Sequence, residues 1–259
     1  MKIAISGKGG VGKTTLSAML AATLSLRGHS VVALDADPDA NLAAALGVPI
    51  DEQPTPLCQM HDLIAERTGA KEQYGGYFKL NPKVDDIPEK YARRIGNIHL
   101  LVLGGVQQGG SGCLCPASAL LKALLVHLVL GRDENLVMDM EAGIEHLGRA
   151  TAQSMDALIT VVDPGPWSIQ TALRVRDLAA DLGIKKIFAV ANRFSPGPDA
   201  GGTQNRLAEI PLIGHLPTDD RLNEGIMGIT DDGQIEPSEA LTENAASVEE
   251  ILSEVESRI

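Results

Sequence analysis

"GKGGVGKT", residues Gly7–Thr14, satisfies the spacing G-x-x-x-x-G-K-[ST]. The apolar run KIAIS, Lys2–Ser6, precedes it, and an Ala/Leu-rich segment at helical spacing, Thr14–Arg27, follows it. A glycine-rich turn between a buried strand and a helix is the setting this pattern requires. The glycines let successive backbone N–H groups turn inward around an anion, and the helix N-terminus adds its dipole. Gly9, Gly10, Val11, Gly12, Lys13, Thr14 and Thr15 are therefore expected around the phosphates of a nucleotide, ATP or ADP. Lys13 is expected to reach the β- and γ-phosphates, and the Thr14 hydroxyl to bind Mg²⁺.

Working outward, Gly28 and His29 stop the first helix and Ser30–Asp37 forms the next strand. Further apolar strands are predicted at His99–Gly104, Asn135–Met140, Ala157–Asp163, Lys186–Asn192 and Leu212–Leu216, with helices between most of them, such as Ala117–Leu130 and Ile169–Leu182. Apolar strands alternating with helices argue for a mostly parallel sheet covered on both faces. The expectation is an α/β fold, a single P-loop NTPase domain over residues 1–259, with a polar insertion at about 51–96 that holds some helix. The tail from Ala246 to Ile259 reads as an acidic amphipathic helix.

Composition bounds the function. The chain has 259 residues and a net charge of −12, so a phosphate backbone or an anionic membrane would repel it. Neither nucleic acid nor membrane is an expected partner. Three cysteines do not make a disulfide framework, and a reducing, cytoplasmic setting fits them better. The sequence opens directly on a strand, and no signal peptide or membrane span is expected.

Lys8 stands at an x position of the phosphate loop, giving KGGVGKT. That form resembles the deviant Walker A of a P-loop group that includes MinD- and ParA-type ATPases, the nitrogenase iron protein and the arsenite-pump ATPase. The resemblance implies that Lys8 crosses a dimer interface to the partner's nucleotide. A cation supplied in trans stabilises the transferring phosphoryl group only when two subunits close. DADPDAN, Asp35–Asn41, resembles switch I of the same group, where Asp37 matches the carboxylate that orients or deprotonates the attacking water and touches Mg²⁺ through water. Asn41 matches a polar switch position. Asp139, at the end of a buried strand, takes the Walker B position and holds Mg²⁺ through its water shell. EAGIEHLGR, which follows it, matches switch II. A Glu-His pair at a helix start is ordinarily a structural hydrogen bond, so Glu145, His146 and Arg149 are given no catalytic role. Asn192, with Arg193 beside it, resembles the adenine-side amide of the group. Leu216 and Pro217 resemble the loop on the base's other face.

GGSGCLCPAS, Gly109–Ser118, holds Cys113 and Cys115 with one residue between them. Residues i and i+2 of an extended segment point to one side. Two sulfurs on one zinc lie roughly 3.8 Å apart, so both can reach one ion but leave it short of ligands. A two-fold dimer brings the same patch to itself and would supply four thiolates. Such a set suits Zn, Cu(I), an iron–sulfur cluster or Ni. Cys58 stands alone in the polar insertion and is read as non-functional.

GSGCLC, with LVMDMEAGIEHLGR and VVDPGPWSIQTALRVRDLAADLGIKK, resembles the CooC family, ATPases that assist nickel insertion into carbon monoxide dehydrogenase. The resemblance implies a homodimer closed by ATP and one Ni²⁺ or Zn²⁺ per dimer at Cys113 and Cys115. It also implies carbon monoxide dehydrogenase as the client. Two rival readings stand beside it. An iron–sulfur scaffold ATPase of the superfamily is expected to carry C-x-x-C rather than C-x-C. A MinD/ParA-like positional switch is expected to end in a basic helix, whereas this tail carries Glu249, Glu250, Glu254 and Glu256 against Arg258.

Overall fold

The computed structural model describes residues 1–70, 77–104, 115–141, 148–193, 199–216, 218–229 and 235–259. Its first half runs β1 (Lys2–Gly7), α1 (Lys13–Leu26), β2 (Val31–Asp35), α2 (Leu42–Ala45), α3 (His61–Thr68), α4 (Ile87–Tyr91), β3 (Arg93–Ile95), β4 (Ile98–Val102) and α5 (Pro116–Leu130). The second half runs β5 (Asn135–Asp139), α6 (Arg149–Gln153), β6 (Ala157–Val162), α7 (Pro166–Leu182), β7 (Ile187–Asn192) and α8 (Asp199–Arg206). It ends with β8 (Leu212–Leu216), β9 (Met227–Ile229), β10 (Ile235–Pro237) and α9 (Glu239–Arg258). Eight strands form one sheet in the order β3-β4-β2-β5-β1-β6-β7-β8. Its pairings are parallel except that of β3 with β4. β9 and β10 make a separate antiparallel pair.

The period of two along each strand sorts side chains into two layers. Ile3, Ile5, Val31 and Ala33 face a cluster completed by Leu16, Met19 and Leu20 of α1 and by Val248, Ile251 and Leu252 of α9. Ala4, Val32 and Leu34 face a second cluster with Leu63 of α3, Leu120, Leu124 and Leu128 of α5, and Val175 of α7. Burial on both faces is why the inner strands read as unbroken apolar runs. The apolar stripe of α9 is spent on this core, and its Glu249 and Glu256 pair with Arg27 at the end of α1. No helix among the described residues is long and apolar enough to cross a membrane.

The expected strands and major helices are present with ends moved by a few residues, except that α9 begins at Glu239, seven residues before the expected Ala246, where Ser238 caps it. α7 starts at Pro166 rather than Ile169, because proline suits the first helical position. The stretch expected as a polar insertion contributes more than helix. Its end, β3, pairs antiparallel with β4 and becomes the sheet's edge. ARRI has no apolar run, and a three-residue edge strand needs none. α3 is tied to α4 by Arg67, which donates to both carboxylate oxygens of Asp86 at 2.8 and 2.9 Å. The β9–β10 pair and α2, α6 and α8 are too short to leave a periodic signal.

Candidate nucleotide-binding site

A parallel sheet sends the carboxyl ends of its strands to one edge, and loops there form the ligand crevice. β1 delivers the Gly7–Gly12 loop to this edge, and its neighbours β5 and β6 deliver Asp139 and the Asp163–Gly165 turn. Lys8, Gly9 and Gly10 are exposed, whereas Lys13, the first residue of α1, is only 7% exposed. Lys13 is thus drawn back against the sheet while Lys8 projects from the loop. Gly12 sits at φ 98° and ψ 27°, where a side chain is strained. A Cβ there would also lie 2.2 Å from Asn192 Nδ2.

Three carboxylates converge beside the loop. Asp139 is fully buried at the end of β5. Ser17 Oγ lies 3.2 Å from its Oδ1, but Oδ2 has no hydrogen-bond partner among the described residues. Burial pushes this carboxyl up to about 6, against the pull of the Thr14 hydroxyl, Lys13 and Ser17. An orphaned buried carboxylate oxygen next to Thr14 fits a hydrated Mg²⁺, a group that would satisfy it. Asp37 is half-buried in the loop after β2, and its charge bears on both Asp139 and Asp35. The sequence reading assigned nothing to Asp35. It is fully buried, is in register with Asp139, and is pushed by burial up to about 7.

The far side of the loop is gripped from β7. Asn192 Nδ2 donates to the Val11 carbonyl at 2.7 Å, and Arg193 Nη1 donates to the Gly10 carbonyl at 2.8 Å. In a trans peptide the C=O and N–H point opposite ways. Pinning these two carbonyls therefore also sets the direction of the Val11 and Gly12 N–H groups. One N–H of the Asn192 amide is thus engaged by the loop. Thr15, Asn192, Arg193 and Leu216 line one recess together with Thr218 and Asp219. Asp219 is fixed there by Arg221 and by Asn244 Nδ2 of α9 at 3.2 Å. Pro217 lies outside the described residues.

Cys115 caps α5. Its sulfur lies 3.4 Å from the Ser118 N–H that donates to it and 3.2 Å from the Ser118 hydroxyl. Burial raises its pKa, but the Ser118 hydroxyl and the Ser118 and Ala117 amides outweigh that and leave the thiol below its ordinary value. An anion-favouring cap is chemistry that suits a thiolate donor to a soft metal. Cys113, Glu145 and His146 lie outside the described residues, and Arg149 is exposed at the start of α6. Among the described residues no three metal-ligating side chains come together. Cys58 packs where β4 ends: a Cβ on Gly104 would sit 2.6 Å from its sulfur.

Residues 2–227 match the CobQ/CobB/MinD/ParA nucleotide binding domain. The chain is 49% identical over 221 residues to the carbon monoxide dehydrogenase accessory protein CooC of Rhodospirillum rubrum, covering 85% of this chain and 84% of that one. It is 51% identical over 194 residues to an uncharacterized ATP-binding protein of Methanocaldococcus jannaschii, covering 74% of this chain and 75% of that one. The cell division ATPase MinD of Pyrococcus furiosus superposes with a TM-score of 0.65 at 24% identity, covering 99% of this chain and 98% of that one, a likeness of fold. The chain belongs to the CobQ/CobB/MinD/ParA nucleotide-binding family and is a CooC-type P-loop ATPase within it.

Proposed function

We propose that this ATPase works as a nucleotide-dependent homodimer, binds one Ni²⁺ or Zn²⁺ per dimer, and assists nickel insertion into carbon monoxide dehydrogenase. Residues 1–259 would act as one P-loop domain. The observation that carries this reading is the 49% identity with a carbon monoxide dehydrogenase accessory protein in a chain that also bears Cys113-Leu114-Cys115.

In this reading the Gly9–Gly12 backbone and Lys13 hold the phosphates, and Asn192, Arg193, Leu216 and Pro217 flank the base. Thr14, Asp37 and Asp139 hold Mg²⁺, which neutralises charge on the phosphate oxygens when bound. Asp37 orients the attacking water and accepts its proton. Lys8 reaches the second subunit's nucleotide and stabilises the developing charge there only in the closed pair. Closure brings Cys113 and Cys115 to their own copies, making four thiolates. Nucleotide and metal are then linked reciprocally: ATP changes metal affinity by the factor with which metal changes ATP affinity.

Competition titration of the purified protein tests the metal site. Cys113→Ala and Cys115→Ala should each lower nickel and zinc affinity, and the wild type should saturate at one metal per two chains. Unchanged affinity in both variants rejects the site. A strong brown absorption in protein purified without air favours an iron–sulfur carrier instead.

A further inference from the structure

The loop that carries Asp37 is built around Asp35, the one buried carboxylate among the described residues left without a role. Asp35 Oδ1 accepts the Asp37 N–H at 3.2 Å, and Oδ2 accepts the Leu42 N–H at 2.8 Å. Leu42 opens α2, and Asn41, directly before it, makes no side-chain cap. A carboxylate on the preceding strand thus takes the cap's place. Its two bonds fasten both ends of the 37–42 loop to a single side chain. Within the loop the Ala40 N–H donates to the Asp37 carbonyl at 3.1 Å, and Ala40 itself lies at φ 43°. A non-glycine residue in the left-handed region persists only where its surroundings over-determine it.

The same carboxylate refers the loop to the metal-side strand. Asp35 and Asp139 are register partners, and the Ala36 N–H donates to the Asp139 carbonyl at 2.9 Å. A serine or threonine at Asn41 could cap a four-residue helix without burying a charge-bearing group. What a local cap could not do is bind the first and last amides of the loop at once.

We propose that Asp35 is a positioning residue for ATP hydrolysis: by closing the 37–42 loop it holds the Asp37 side chain where the attacking water must be oriented. This rests on the reading of Asp37 as the water-orienting carboxylate. ADP binding should depend little on Asp35, because the phosphate loop and the recess beside it are held by β1, β7 and α9.

The test is phosphate release by the full chain at saturating Mg-ATP, with fluorescent ADP binding and thermal melting on the same samples. Asp37→Ala comes first: a rate equal to wild type removes the Asp37 reading and this inference with it. With Asp37 established, Asp35→Asn keeps the volume but turns one acceptor into an NH₂ group that faces an N–H. It should lower kcat about tenfold and leave KM and ADP affinity within about twofold, the size of effect expected when one such bond is lost. The double variant should be no slower than Asp37→Ala alone, since Asp35 acts only through Asp37. A wild-type kcat in Asp35→Asn overturns the proposal. So does a loss that multiplies with that of Asp37→Ala, or one that ADP affinity and melting temperature share in proportion.

Discussion

Gly12→Ala joins two parts of the site that are 180 residues apart in the chain and yet touch. The new Cβ would lie 2.2 Å from Asn192 Nδ2, more than 1 Å inside ordinary contact, and 3.4 Å from Asn192 Cγ. The asparagine must swing away, which breaks its 2.7 Å bond to the Val11 carbonyl. A buried amide left without its partner costs about 1–3 kcal/mol. Alanine at φ 98° adds about 1–2 kcal/mol of backbone strain. The total is about 2–5 kcal/mol, and at about 2–4 °C per kcal/mol the melting temperature should fall by roughly 4–20 °C. The discriminating assay is a double-mutant cycle read by urea unfolding. Asn192→Ala removes the atoms that clash, so in that background Gly12→Ala should cost only the backbone part. The coupling between the two sites should be about 1–3 kcal/mol. An additive cycle refutes the contact as the reason for glycine at this position, and leaves backbone conformation alone to explain it.

Other consequences are as direct. Arg193→Met removes the exposed guanidinium that holds the Gly10 carbonyl and should raise the KM for ATP about three- to fivefold with kcat little changed; an unchanged KM contradicts the grip. Lys8→Ala should cut turnover at least about a hundredfold while a single chain still binds ADP, and the wild-type rate per chain should rise with protein concentration. A concentration-independent rate, or a Lys8→Ala rate near wild type, speaks against a cation in trans. Burial lifts Asp35 to about 7 and Asp139 to about 6 from 3.8, so the folded chain holds protons that the unfolded chain has lost. Stability should therefore fall as pH rises from about 5 to 7.5 in nucleotide-free protein. His99, shifted down by burial, acts with the opposite sign inside that range, and Asp86, Glu134 and Asp219, also shifted down, do so only toward lower pH. Melting curves across that range should show the slope, and Asp35→Asn should flatten it; a melting temperature that climbs with pH contradicts the assignment.

What the sequence discloses about this site follows from where each constraint lies. The phosphate loop is legible because Gly7–Thr14 makes its chemistry from its own backbone and from residues a few positions apart. The strands are legible because burial on both faces forces runs such as Ala157–Val162, buried at every residue. Asp139 is legible because an acid ending such a run is costly and so has to be used. Asp35 ends a run in the same way, but Asp37 stands two residues on in a more recognisable pattern and draws the assignment. Only the bonds to Asp37 and Leu42 show that the first aspartate shapes the loop around the second. Asn192 and Arg193 are legible as residues at a strand end, but not as a grip on Val11 and Gly10, because that depends on β6 lying between β1 and β7. The same holds for Cys58, remote from the other cysteines in sequence, yet packed against Gly104 at the end of β4. Local chemistry is thus written in motifs, whereas the choice of which residue holds a motif in shape is made by strand order. Glycine at position 12 shows the two together: the motif calls for it on backbone grounds, and the sheet calls for it again to make room for Asn192.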